Sequence, residues 1–192
     1  MEGRPGEPTS HAFFSTPFGE CALAWGARGL RWILLPERSP EETRARVARI
    51  ASTSVEEESP PPWVKEAMHR IARHLQTGAE DLSTILLDME PVSPFFRRVY
   101  EVTCGVRPGE VKTYSEIASL VGSPSAVRAV GQALGKNPFP VVVPCHRVVA
   151  AGGKPGGFSA PGGLDTKARL LAIEGRVLAG AEQTTFDFGF RP

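Results

Sequence analysis

Cys145 stands in the run Pro144-Cys145-His146-Arg147-Val148. A thiolate is a strong, soft nucleophile, and a neighbouring imidazole or cation lowers the pKa of the thiol that yields it. Both kinds of neighbour are adjacent in sequence, so the run can carry nucleophilic chemistry with His146 as base. The same residue can also be read as a structural cysteine, because free cysteines are among the most buried residue types. A histidine base needs an orienting acceptor, and adjacency supplies none. Glu174, at the end of the last helical segment with Gly175 behind it, is the candidate. Its other reading is a solvated helix-terminal charge. The remaining cysteines, Cys21 and Cys104, form no CxxC pair, and His11, His69, His74 and His146 complete no metal site by spacing. An odd, sparse set of thiols fits a reducing compartment. No metal and no cofactor are expected.

Those residues need a scaffold, and periodicity outlines one. Residues 11–16, 20–25 and 29–35 alternate like strands across the turns Pro17-Phe18-Gly19 and Gly26-Ala27-Arg28, which predicts an antiparallel meander. Residues 41–51 predict a helix, and the acidic, proline-rich stretch 52–62 a loop. In 63–76, Val64, Ala67, Met68, Ile71 and Leu75 recur at helical spacing, with Gly78 as the stop. Residues 82–87 read as a further strand. The prolines at 91 and 94 mark the best boundary, which gives an N-terminal unit over 1–91, a second over 92–176 and a tail over 177–192. In the tail Phe186, Phe188 and Phe190 alternate like a strand that packs back on the body.

Beyond the boundary the pattern turns helical, over 95–106 and 114–121. Ser123 is then expected to cap, and Pro124 to open, a helix over 126–135. Two short helices joined by a tight turn suggest a helix-turn-helix. Ala126, Ala129, Gly131, Ala133 and Gly135 make the second one slim. Slimness suits close packing on a neighbouring helix, or close approach to a nucleic-acid backbone with Arg128 as the long cationic side chain. Val141, Val142 and Val143 lie between Pro140 and Pro144, and proline biases the residue before it towards an extended conformation. The chain is therefore expected to run extended into Cys145. A Gly-rich loop over 152–163 leads to a helix over 164–174, with Leu164, Ala168, Leu171 and Ala172 turned inward.

Charge is uneven along the chain. Residues 1–91 hold ten Lys and Arg against fourteen Asp and Glu, a net of −4, whereas 92–176 hold eleven against five, a net of +6. A basic second half is what a phosphate-binding surface requires, although many basic faces are only solvated. No apolar run approaches a membrane span, and the first ten residues lack the order of a signal peptide. A cytoplasmic protein without membrane contact is expected.

The stretch 137–149, NPFPVVVPCHRVV, resembles the signature of the O6-alkylguanine-DNA alkyltransferases. The likeness extends to GEVKTYSEIA at 109–118, RAVGQAL at 128–134 and GGFSAPGGLDTKARLLAIEG at 156–175, and so covers nearly all of 92–176. The first 90 residues are similar only loosely, chiefly in TPFGECALAW at 16–25. The resemblance implies an α/β protein in two parts: a small N-terminal domain with a three-stranded antiparallel sheet and helices, and a mostly helical C-terminal domain with the helix-turn-helix. It implies irreversible, single-turnover transfer of an alkyl group from O6 of guanine, with O4 of thymine as a further target, in double-stranded DNA bound through the minor groove. A monomer is expected.

Residue by residue, the resemblance makes Cys145 the alkyl acceptor, His146 its base through a water, Glu174 the group that orients His146, and Asn137 the brace of the turn carrying them. Tyr114 and Phe158 belong at the lesion pocket, and the backbone of Val148 and Ser159 at the guanine edge. Arg128 would fill the gap left by an extruded nucleotide, with Ala129 and Gly131 beside it against DNA. Ser115 and Ser123 are phosphate contacts by position, or solvated turn serines. The family pattern carries Tyr where this chain has Phe158, and Ala160-Pro161 lengthen the following loop. A non-enzymatic lesion-binding protein of the same fold and a cysteine hydrolase using Cys145 and His146 are the competing readings.

Overall fold

The computed structural model describes residues 9–177, so the aromatic alternation expected at 186–190 lies outside the described residues. The meander forms as its turns dictate. Strands β1 (Ser10–Thr16), β2 (Gly19–Gly26) and β3 (Gly29–Leu34) pair antiparallel, with Thr16 opposite Gly19 and Gly26 opposite Gly29. Five successive residues of β2, Cys21 to Trp25, are buried. Such a run needs cover on both faces. Helix α1 (Pro40–Ile50) covers one through Val47 against Ala22 and Leu34. Helix α2 (Pro62–Thr77) covers the other through Val64, Ala67, Met68, Ile71 and Leu75.

The sheet has a fourth strand that the meander did not foretell. Strand β4 (Val55–Glu56) pairs parallel with β1, through Val55 N–H to the Thr9 carbonyl at 3.0 Å and Glu57 N–H to the His11 carbonyl at 2.9 Å. Both its residues are exposed, so the pairing is a backbone event with no apolar pattern to announce it. The strand expected over 82–87 is not formed. Leu82 and Ile85 are buried, but the segment makes a single bridge, Leu30 to Leu87.

The second half is helical: α3 (Pro94–Cys104), α4 (Tyr114–Leu120), α5 (Val127–Gly135) and α6 (Gly163–Ile173). Strand β5 (Lys112–Thr113) precedes α4 and pairs parallel with β6 (Val148–Val149). Thr113 caps α4 in a full capping box with Glu116. Ser123 does not cap α5. Its carbonyl accepts the Ala126 N–H at 2.9 Å, which closes a turn, and the helix starts only at Val127.

Helix α5 is slim for two reasons on two faces. Val130, Ala133 and Leu134 are buried, and the Ala133 carbonyl accepts the Tyr100 hydroxyl of α3 at 2.9 Å. Gly131 and Gly135 face open space. Helix α6 is rotated from the expected face: Lys167, Leu170 and Leu171 are buried, and Leu164 is exposed. A lysine on the inner face escapes a reading that counts only apolar residues. One continuous apolar cluster joins Ala12 and Leu23 of the sheet to Val130, Phe139 and Leu170 of the second half. No helix among the described residues is long and apolar enough to cross a membrane.

Candidate active site

The segment before Cys145 is a braced turn rather than an extended run. Asn137 Oδ1 accepts the Phe139 N–H at 2.9 Å, and its Nδ2 donates to the Val143 carbonyl at 2.9 Å and to Cys145 Sγ at 3.3 Å. The Val143 N–H returns to the Phe139 carbonyl at 2.8 Å. Closing this loop forces Val141 to φ +74°, a left-handed conformation that costs a β-branched residue about 1–3 kcal/mol. The Ile33 N–H of β3 donates to the Pro138 carbonyl at 2.8 Å and anchors the same turn to the sheet. The chain then enters one 3-10 turn, Cys145–Arg147, which separates the side chains of the three residues.

That turn sends His146 and Arg147 to Glu174. Glu174 Oε1 accepts from His146 Nε2 at 2.9 Å, from Arg147 Nη2 at 2.7 Å and from His74 Nε2 at 3.0 Å, and Oε2 accepts from Arg147 Nε at 3.0 Å. All four side chains are buried. Burial opposes ionisation of Glu174, but the bonds from His146, His74 and Arg147 outweigh it and hold the carboxyl well below the usual carboxylate range. For His146, burial lowers the pKa and Glu174 offsets part of that. With Nε2 donating to a carboxylate, His146 presents a bare Nδ1, which is buried and has no hydrogen-bond partner among the described residues.

The side chains of its sequence neighbours do not activate the thiol. Burial pushes the Cys145 pKa up, and the bond from Asn137 and the charge of Lys167 pull it back only in part. At rest Cys145 is therefore held as a thiol, which would need a base to act as a nucleophile.

Lys167 lies beside the segment that follows Cys145. Its Nζ donates to the Val148 carbonyl at 2.5 Å and to the Gly157 carbonyl at 3.3 Å, and burial lowers its pKa to about 8. The folded protein thus releases this proton before the unfolded chain does, and stability should rise with pH from about 8 towards the ordinary lysine value near 10.4. Lys167→Met should remove that rise in urea unfolding at pH 7.5 and 9.5. It should also slow modification of Cys145 by a small alkylating reagent on the order of tenfold, since a nearby cation is lost. An unchanged rate would show that the ammonium does not reach the thiol electrostatically.

Cys145 is reached from a cavity of about 250 Å³ lined by Tyr114, Gly131, Leu134, Gly135, Gly157, Phe158 and Ser159. The Tyr114 hydroxyl donates to the Gly157 carbonyl at 3.5 Å, and Gly156 (φ +70°) lets the ring approach the loop closely, because a Cβ there would meet the ring at 3.0 Å. Val148 is not among the lining residues; it is fully buried, with its carbonyl held by Lys167. Tyr114 and Gly131 also line an open trough with Ser125, Val127 and Arg128. Arg128 is exposed there and bonds to no described residue, and Ala129 is half-buried. Ser115 is exposed and shares a hydrogen bond with Thr113 at 3.0 Å, and Ser123 is half-buried in its turn. Sequence reasoning missed His74 and Lys167. Each sits on a helix face read as apolar, and the only signal was a polar residue in register with the core. Among the described residues no group of three or more His, Cys, Asp or Glu could hold a metal ion.

Residues 94–176 match the profile of the 6-O-methylguanine DNA methyltransferase DNA-binding domain. A methylated-DNA–protein-cysteine methyltransferase of Methanothermobacter thermautotrophicus is 34% identical over 164 residues, which cover 85% of this chain and 84% of the relative. One of Methanosarcina mazei is 37% identical over 163 residues, 83% of this chain and 92% of the relative. Among solved structures, Mycobacterium tuberculosis OGT in complex with DNA aligns with a TM-score of 0.69 at 28% identity, over 86% of this chain and 93% of that one. The likeness therefore spans the sheet as well as the segment around Cys145, and the chain belongs to the methylated-DNA–protein-cysteine methyltransferase family.

Proposed function

We propose that Cys145 accepts a methyl or larger alkyl group directly from O6 of guanine in double-stranded DNA, once per protein molecule. The observation that carries this reading is the buried Cys145 thiol lining a cavity whose other walls, Tyr114 and Gly131, also line the open trough that holds Arg128. O6 is out of reach inside a stacked duplex, so the nucleotide must swing out to meet the thiol. Helix α5, bare at Gly131 and Gly135, can seat in the narrow minor groove, and Arg128 fills the space the base leaves.

In the transfer, sulfur forms a bond to the alkyl carbon as the carbon–O6 bond breaks. The thiol proton passes to Nδ1 of His146 through a bridging water; the departing guanine takes a proton at N3 from the Tyr114 hydroxyl, which regains one from the imidazolium by way of solvent, while the Ser159 N–H stays intact and hydrogen-bonds O6. The thioether offers no route back to a thiol, so the protein acts stoichiometrically. Residues 1–91 would serve as support and 92–176 as the reacting unit of a monomer. A free thiol acceptor suits the reducing cytoplasm.

The test is intact and peptide mass spectrometry after mixing with a duplex that carries one O6-methylguanine. One methyl on the Cys145 peptide, with repair equal to the protein added, is expected. Binding without modification would favour a lesion-binding protein, and repeated turnover of an ester would favour a hydrolase. Arg128→Ala should slow repair of the duplex by about 10- to 100-fold, because an offset to the flipping cost of a few kcal/mol is lost. It should leave reaction with the free base O6-methylguanine within about twofold. Equal losses on both substrates would place Arg128 in the chemistry rather than in the DNA contact.

A further inference from the structure

His74 is the fourth member of the buried cluster, and it comes from the N-terminal half. Its Nδ1 meets the Glu80 carbonyl at 3.0 Å and its Nε2 meets Glu174 Oε1 at 3.0 Å. A carbonyl and an ionised carboxylate only accept. Both ring nitrogens must therefore donate, which makes His74 an imidazolium. It lies in the last turn of α2. The charged groups around it are Glu174 from the end of α6 and, on the same carboxylate, His146 and Arg147. The Glu80 side chain is turned to Arg70 and Arg73. The contact depends on a close approach. Gly78, the left-handed C-cap of α2, lies so near the end of α6 that a Cβ would fall 2.1 Å from the Ile173 carbonyl oxygen.

We propose that His74 is a positioning residue for the transfer reaction: as a fixed cation on Glu174 it keeps the neighbouring His146 neutral, with Nδ1 open to take the thiol proton. The proposal rests on the role given to His146 above. The two imidazoles share one oxygen, so their Nε2 atoms lie within about 6 Å of each other, close enough for one charge to bias the other. The carboxylate therefore has two cations, His74 and Arg147, to neutralise before it can stabilise a third on His146. Base function in the ground state is preserved, and the N-terminal half contributes a charge to the site rather than only a wall.

Two measurements test this. The first is 15N NMR of the histidine rings in the unaltered protein from pH 6 to 8. The His74 signals should show both nitrogens protonated throughout, and those of His146 one bare nitrogen. A bare nitrogen on His74 at pH 7 overturns the proposal. The second is the single-turnover rate of Cys145 methylation against pH for the unaltered protein and His74→Gln, which keeps a donor to Glu174 without the charge. The acidic limb should move up by on the order of one pH unit, so that the rate falls several-fold or more at pH 6 and less than about twofold at pH 8. Profiles that superimpose, or a loss equal at every pH, would mean that His74 only packs. No methylation of the unaltered protein at any pH would sink the alkyl-transfer reading itself, and the NMR result would still decide the state of His74.

Discussion

Cys145→Ser should abolish alkyl transfer, by at least about 10³-fold, while lesion-containing duplex still binds within a few-fold of the native affinity. A serine hydroxyl fits where the thiol sits and can still take the Asn137 bond, so the braced turn survives. The loss is chemical. An alcohol yields its proton far less readily than a thiol, and oxygen is a poorer nucleophile than sulfur towards a saturated carbon. The effect is large because no second thiol can substitute. Cys21 is fully buried in β2, with a pKa pushed up to about 12 by burial, and Cys104 sits on α3 beside the Val142 carbonyl with a pKa raised to about 11. Gel-shift titration and mass spectrometry on the same duplex measure the two halves of this expectation. Methyl found on Cys21 or Cys104 in the variant would mean that the cavity at Cys145 does not define the acceptor. Loss of binding together with transfer would mean that the thiol contributes to lesion recognition itself.

What could be read from sequence follows from how each feature is encoded. The meander was legible because its turns have fixed chemistry and its strands alternate, and α2 because five apolar residues recur at helical spacing and a glycine ends it. The candidate site residues were legible as types: a cysteine beside a histidine, with a glutamate placed by resemblance. Their arrangement was not. Adjacency suggested that His146 and Arg147 tune the thiol, whereas the 3-10 turn points both at Glu174. The run of valines suggested an extended lead-in, whereas Asn137 draws it into a loop with Val141 left-handed. Local propensity lost there to a side chain that bonds the backbone. His74 and Lys167 were invisible for a different reason. Their value lies in contacts with segments 100 and 19 residues away, and no local pattern marks such a partner.

Glu174→Gln tests how far that cluster is a single unit. The amide has the carboxylate's shape but only one accepting oxygen, and its NH2 would face the donors of Arg147 and His74. Breaking a buried ion pair by removing one partner costs about 3–5 kcal/mol, because the remaining charges stay desolvated. The sign of the pH dependence is fixed by the depressed pKa of Glu174. Its contribution is present in full above the unfolded value near 4.5 and is lost only as pH falls through the folded value, well below the usual carboxylate range. The part of the variant's deficit in urea unfolding that comes from ionisation of Glu174 itself should therefore be constant from pH 8 to about 5 and should narrow only in stronger acid. Transfer should fall further than stability suggests, by about 10²–10⁴-fold, because an amide can hold His146 in the wrong tautomer, with the proton on Nδ1 where the thiol proton must arrive. If the variant lost stability but transferred at the native rate once folded, the cluster would be a structural staple and His146 would need no orienting anion. The geometry argues otherwise: one carboxylate holds the turn, the helix end and the base together, so stability and proton transfer depend on the same few hydrogen bonds.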